Sequence, residues 1–277
     1  MKSTRIYLLL FTFLFLTSSI NFSCSWFSSD DEEDANSNDT ITEITSDDTK
    51  DNNSTKAYVA DDYQIPEELV YNKQSDDFLI DKLYPIGWSK DGKFAYIIEP
   101  ADEESGFYLF EIVVFDMINN KTIWSWKPEE SEEGDLEMTW KENYELFKSS
   151  LNKYEITQDN SFELLKDKTT FKDNEYQIVL DTKTEIQPDY GIDIIKNIKI
   201  SISSAELGSK EIYNQNTEDY SMIIGAFVPG YLLSPNDGRI VVICQMERIG
   251  AEGPPNAVYF QLIGADLLRG FHTDSGS

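Results

Sequence analysis

The sequence predicts a mostly β protein, a β-rich α+β fold of antiparallel sheets with one amphipathic helix. Three observations predict it. Runs of β-branched and aromatic residues alternate with polar ones through the second and last thirds of the chain. A strand, a Ser-x-Asp-Gly type turn and a strand occur twice, far apart, with one residue inserted in the second turn. Only one stretch, Leu136 to Asn152, carries its apolar residues at helical spacing. The 277 residues are 40% hydrophobic and 13% aromatic, enough to bury a substantial core. With 51 acidic residues against 23 basic ones, a net charge of -28 and no basic stripe, the chain repels a phosphate backbone, which excludes nucleic acid as a partner.

Residues 1–23 read as a signal peptide. Lys2 and Arg5 precede an apolar run from Ile6 to Leu16, and a small, polar exit from Thr17 to Ser23 leads to Cys24. The apolar run has eleven residues, short of the roughly 20 that span a bilayer. The alternative is an ordinary secreted protein cut near Ser19 or Ser25. Residues 24–62 read as an acidic, disordered tether: from Ser25 to Asp62 there are twelve acidic residues against Lys50 and Lys56, with Ser, Thr and Asn between them. Such a stretch cannot bury enough apolar surface to offset its ordering entropy, and self-repulsion extends it. A calcium loop needs a turn glycine, and this stretch has none.

A β-rich folded domain is expected over residues 63–271, followed by a flexible tail at 272–277. Its first unit is Trp88-Ser89-Lys90-Asp91-Gly92 with strands on either side and a third strand ending at Asp116. Asn119-Asn120 is expected to turn into a further strand, in which Trp124 and Trp126 share a face at period two. The helix follows, with Leu136, Trp140, Tyr144, Phe147 and Leu151 on one stripe and Asp135 as its N-cap. Strands are expected at Glu175 to Thr182, Ile192 to Ser203 and Lys210 to Asn214, the isoleucines of the second implying a sheet with one wet face. Met222 to Leu233 then leads into the second unit, Ser234-Pro235-Asn236-Asp237-Gly238, whose third strand ends at Asp266. Asp-Gly suits a tight reversal because glycine accepts the positive φ. From Gly92 to Asp116 is 24 residues and from Gly238 to Asp266 is 28.

Three resemblances attach to these residues. Ile20-Asn21-Phe22-Ser23-Cys24 resembles the relaxed lipobox of spirochaete lipoproteins, which implies acylation of Cys24, an N-terminal lipid anchor and residence at the outer membrane or periplasmic face of a bacterial envelope. The two Ser-x-Asp-Gly type units, Lys90 standing at the proline position of the first and one residue inserted in the second, resemble the repeat of TolB-like β-propellers, which implies a partial or degenerate propeller and no particular activity. Gly230-Tyr231-Leu232-Leu233-Ser234-Pro235, with Gly250-Ala251-Glu252-Gly253-Pro254-Pro255, is similar to a family of predicted secreted bacterial proteins of unknown function.

No motif for zinc, dithiol, serine-nucleophile or phosphate-loop chemistry is present, and His272 is the single histidine. No catalytic, cofactor-binding or metal residue is therefore expected. Cys244, in the run Arg239 to Gln245, reads as a small buried hydrophobe. Trp88, Trp124, Trp126 and Trp140 are either a glycan platform or core, the second being the plainer reading. Trp124, Trp126 and Glu252, the last in the stiff Gly/Pro loop, are the candidate ligand contacts. The sequence thus points to an exported, lipid-anchored envelope protein with a non-enzymatic binding or structural role and an envelope protein or glycan as partner; the alternatives are a secreted propeller-like module that binds glycan or protein ligands and, last, a carboxylate-dependent hydrolase.

Overall fold

A computed structural model describes residues 62–69, 78–101, 107–129, 134–166, 168–250 and 253–272, all within one compact unit spanning residues 55–277. The expected signal peptide, Cys24, residues 24–61 of the tether, Glu252 and residues 273–277 lie outside the described residues.

Strand β1 (Phe78–Ile80) precedes a run of four: β2 (Lys82–Trp88), β3 (Lys93–Glu99), β4 (Glu111–Asp116) and β5 (Lys121–Trp126). Helices α1 (Leu136–Glu142) and α2 (Tyr144–Lys153) come next, then the short β6 (Thr157–Gln158). A second run holds β7 (Lys168–Phe171), β8 (Asn174–Gln187), β9 (Ile192–Ser204) and β10 (Gly208–Asn216). The last is β11 (Ile223–Leu233), β12 (Arg239–Arg248) and β13 (Asn256–Asp266). They form three sheets: a front sheet in the order β5-β4-β3-β2-β6, a back sheet β10-β9-β8-β7 and a middle sheet β1-β13-β12-β11. The ladders are antiparallel, as expected, apart from the short parallel pairing of β1 with β13.

Side-chain alternation sets the layer order. In β12, Ile240, Val242, Cys244 and Met246 face the back sheet, while Val241 and Ile243 face the front. A strand covered on both sides reads as an unbroken apolar run, and this one does. The back sheet gives Ile198, Ile200 and Ile202 to that core and turns Lys199, Ser201 and Ser203 outward. On the front sheet Phe94, Val113 and Phe115 meet the middle sheet, whereas Ala95, Ile97, Ile112 and Val114 lie beneath Trp140, Phe147 and Leu151 of the helices. The layers therefore run helices, front, middle, back. Bulges reset this phase where a strand needs it. In β2 the irregularity between Pro85 and Gly87 lets Tyr84 and Ile86 face the helices but Trp88 the middle sheet.

The two Asp-Gly units have matching bonds. In the first, Ser89 N donates to Lys93 O (3.0 Å), Met117 N to Gly92 O (3.0 Å), and Asp91 pairs with Lys93. In the second, Ser234 N donates to Arg239 O (2.8 Å), Leu267 N to Gly238 O (2.8 Å), and Asp237 pairs with Arg239. Gly92, at φ 91°, takes the left-handed conformation that the turn demands. Asp116 and Asp266 end the third strands alike: each carboxylate accepts the amide two residues on, Ile118 N and Leu268 N, both at 2.8 Å. The units also meet. Asn236 Nδ2 donates to Ser89 O (3.3 Å), and Gly264 N donates to Asn120 Oδ1 (2.9 Å). Gly264 lies so close to the Met117 backbone that a Cβ there would come within 2.6 Å of its oxygen. The repeated units thus build two adjacent layers, and helices cover the front sheet's far face.

The expected single helix is two. Asp135 caps α1 as foreseen, accepting Met138 N at 2.7 Å. At Asn143 the backbone departs to φ -109°, ψ 13°, and the Asn143 side chain donates to Thr139 O (2.9 Å). The Asn143 backbone N–H also donates to Thr139 O (3.2 Å), so the break is one of dihedral at a single residue, and the apolar residues on either side keep one stripe.

Candidate functional site

The structure divides the tryptophans between two cores. Trp88, 1% exposed, lies between the front and middle sheets with its ring 4.6 Å from Phe94. Trp124, Trp126 and Trp140 all belong to the core beneath the helices. Trp126 stands edge-on to Phe147 (5.1 Å) and Phe110 (6.1 Å), and Trp140 lies 5.5 Å from Phe147. Trp124 and Trp126 are half-buried, so each offers solvent only part of its ring.

Residues 62–69 cross this region as a strap. Tyr63 N donates to Tyr144 Oη (3.0 Å) and Tyr63 Oη to Ile156 O (2.6 Å). The amide of Gln64 donates to Gln158 Oε1 (2.7 Å), and Gln158 Nε2 returns a bond to Gln64 O (2.9 Å). Asp62 pairs with Lys148, which holds its carboxyl below the usual carboxylate range, and Leu69 N donates to Leu83 O (2.8 Å). Between strap and helices lies a cleft of about 370 Å³ lined by Tyr63, Gln64, Ile65, Trp140, Lys141 and Tyr144. The bonds just described fix Tyr63 and Tyr144 in place. Tyr63 and Trp140 are buried at 4% and 2% exposure, so of the cleft's rings only the half-buried Tyr144 offers a face to a ligand, beside the exposed Gln64 and Lys141 side chains. The helix stripe announced Trp140 and Tyr144 in the sequence. Nothing local announced Tyr63, whose role depends on contacts some eighty residues away.

The buried ionisable groups are engaged by the scaffold. Asp81, 6% exposed at the junction of β1 and β2, accepts Ala101 N on Oδ1 (2.8 Å) and Phe260 N on Oδ2 (3.1 Å). Burial pushes its carboxyl up to about 6. Glu99, 8% exposed, accepts Tyr84 Oη (2.7 Å) and Lys82 Nζ (3.2 Å) on Oε2 and Tyr108 Oη (2.5 Å) on Oε1. Burial, then the Glu99 carboxylate, drives both phenols far above their ordinary range. Lys210 Nζ donates to the carbonyls of Asp266 and Arg269 and sits 4.7 Å from the centre of the Phe271 ring; burial lowers it to about 8. Burial pushes the Cys244 thiol up to about 12, which leaves it protonated and inert. Carboxylates whose oxygens are taken by backbone amides and phenols brace loops. They are poorly placed to move protons on a substrate.

No family model, curated protein or solved structure matches the chain. The surface carries a shallow depression at the strap and a polar groove of about 540 Å³ on the back sheet, bordered by Lys168, Thr170, Glu175, Gln177 and Ser203. Among the described residues no helix is long and apolar enough to cross a membrane, and no three His, Cys, Asp or Glu side chains are grouped to hold a metal ion.

Proposed function

We propose that the chain is an exported lipoprotein of the bacterial envelope, acylated on Cys24, with residues 25–61 as a spacer and the layered β domain as a non-enzymatic binding or structural module. The observation that carries the reading is the order of segments: basic residues, an eleven-residue apolar run, a small exit, Cys24, and at once a densely acidic stretch. The scaffold contacts of Asp81, Glu99 and Lys210 support a role other than catalysis. Feeding cells an alkyne-tagged palmitate tests the anchor. Label on the wild type that vanishes in Cys24→Ala is expected, and an unlabelled wild type would sink the assignment.

A glycan is the second reading for the module's ligand, supported by the partly exposed Tyr144 ring beside the exposed Gln64 and Lys141 side chains. Soluble cell-wall fragments should raise the melting temperature of the wild type. The shift should disappear when both rim residues are truncated by Gln64→Ala and Lys141→Ala, which leaves the core intact. A wild type that fragments do not stabilise would remove the glycan reading and leave a protein partner or a structural role.

A further inference from the structure

We infer that β8 is a self-association edge, through which a second copy of this chain extends the back sheet across a twofold axis centred on Thr184. Strand β7 covers only part of its neighbour, from Asn174 to Gln177. Beyond Gln177, among the described residues, no strand pairs with the outer edge of β8. An unpaired edge presents a row of backbone donors and acceptors to any extended chain. Asp181 through Ile186 are exposed on both faces, and Ile186 is 68% exposed.

The edge is regular where it must be. Lys183 pairs with Asn197 and Thr184 with Ile195, so the extra residue of that bulge, Lys196, belongs to β9. Every residue of β8 here keeps its place in the ladder, and the free side is undistorted. Asp181, Lys183 and Glu185 lie on the outward face, and none forms an ion pair among the described residues.

Charged residues ordinarily discourage edge pairing, and here they select the register. A twofold axis normal to the sheet keeps like faces together, so the paired residues are an even number apart. Centring on Asp181, Lys183 or Glu185 sets a charge against its own copy. Centring on Thr182 opposes Asp181 to Lys183 but brings Gln187 of the second copy to Gln177, which β7 already holds. Centring on Thr184 opposes Lys183 to Glu185 twice and Asp181 to Gln187. On the inner face Thr182 of one copy then covers Ile186 of the other. The paired segment, residues 181–187, stops short of β7 in both copies. Charge order, exposed apolar surface and strand length agree on this one arrangement.

Single-cysteine cross-linking of the full chain tests it, in a Cys24→Ala background where the remaining native thiol, Cys244, is fully buried. Under mild oxidation Thr184→Cys should give a covalent dimer of twice the chain mass, while Thr182→Cys and the exposed Thr170→Cys give little. Adding Lys183→Glu or Glu185→Lys should lower that yield about tenfold, because two opposed pairs become two repulsions. Combining the two reversals should restore it. Equal yields at all three cysteines, yields indifferent to the reversals, or an adduct with a protein of different mass would each overturn the inference.

Discussion

Asp81 ties three segments together with one carboxylate. Its two oxygens hold the amides of Ala101 and Phe260, while its own amide donates to Val258 O at 2.9 Å. The folded value near 6 lies above that of a free aspartate, so the folded protein keeps a proton that the unfolded chain releases. Its contribution to stability is complete below about pH 4 and is lost as pH rises through about 6, a change of about 2–3 kcal/mol. Asp81→Asn does not titrate. Urea unfolding at both ends of this window should show the wild type's advantage over Asp81→Asn larger at pH 4 than at pH 7; an advantage independent of pH would refute the assignment. Residue-level roles of this kind were hidden in the sequence. Asp81 is one acid among 51, and what distinguishes it is a partner 179 positions away. Cys244 was legible, because the β-branched run around it already implied burial.

At the scale of elements, period-two alternation placed β9 from Ile192 to within a residue of its end, and the Asp-Gly turns placed the starts of β3 and β12. Less was visible where a strand leaves the core. The expected strand from Glu175 to Thr182 continues to Gln187, since its far half is exposed on both faces and has no apolar rhythm to read. The break at Asn143 was equally silent, being a change of dihedral at one residue within an unbroken stripe. The chain end also departs from expectation: His272, assigned to the tail, exchanges backbone bonds with Ser209, His272 N to Ser209 O at 2.9 Å and Ser209 N to His272 O at 3.1 Å. Lys210 clamps the same turn through the carbonyls of Asp266 and Arg269. Lys210→Met keeps the stem that covers Phe271 but removes both bonds. Hydrogen exchange at the His272 amide should quicken by about tenfold, with the β12 amides unaffected. An unchanged His272 would mean that the backbone bridge alone holds the segment.

For the whole molecule, the fold class and the kinship of the two Asp-Gly units were legible, while the order of the layers was not. Alternation says that a strand has two faces; only the three-dimensional partners say what covers each. That order has a consequence for the sequence of events on the ribosome. The inner faces of the front and back sheets, Phe94, Val113 and Phe115 on one and Ile198, Ile200 and Ile202 on the other, find their counterparts in Tyr231 to Leu267. The layer that belongs between them is translated last. Until β11 and β12 have been made, through Arg248, the two apolar surfaces lack most of the layer that separates them. The same arrangement makes late truncation severe, since a stop codon before β12 removes the filling from both cores at once.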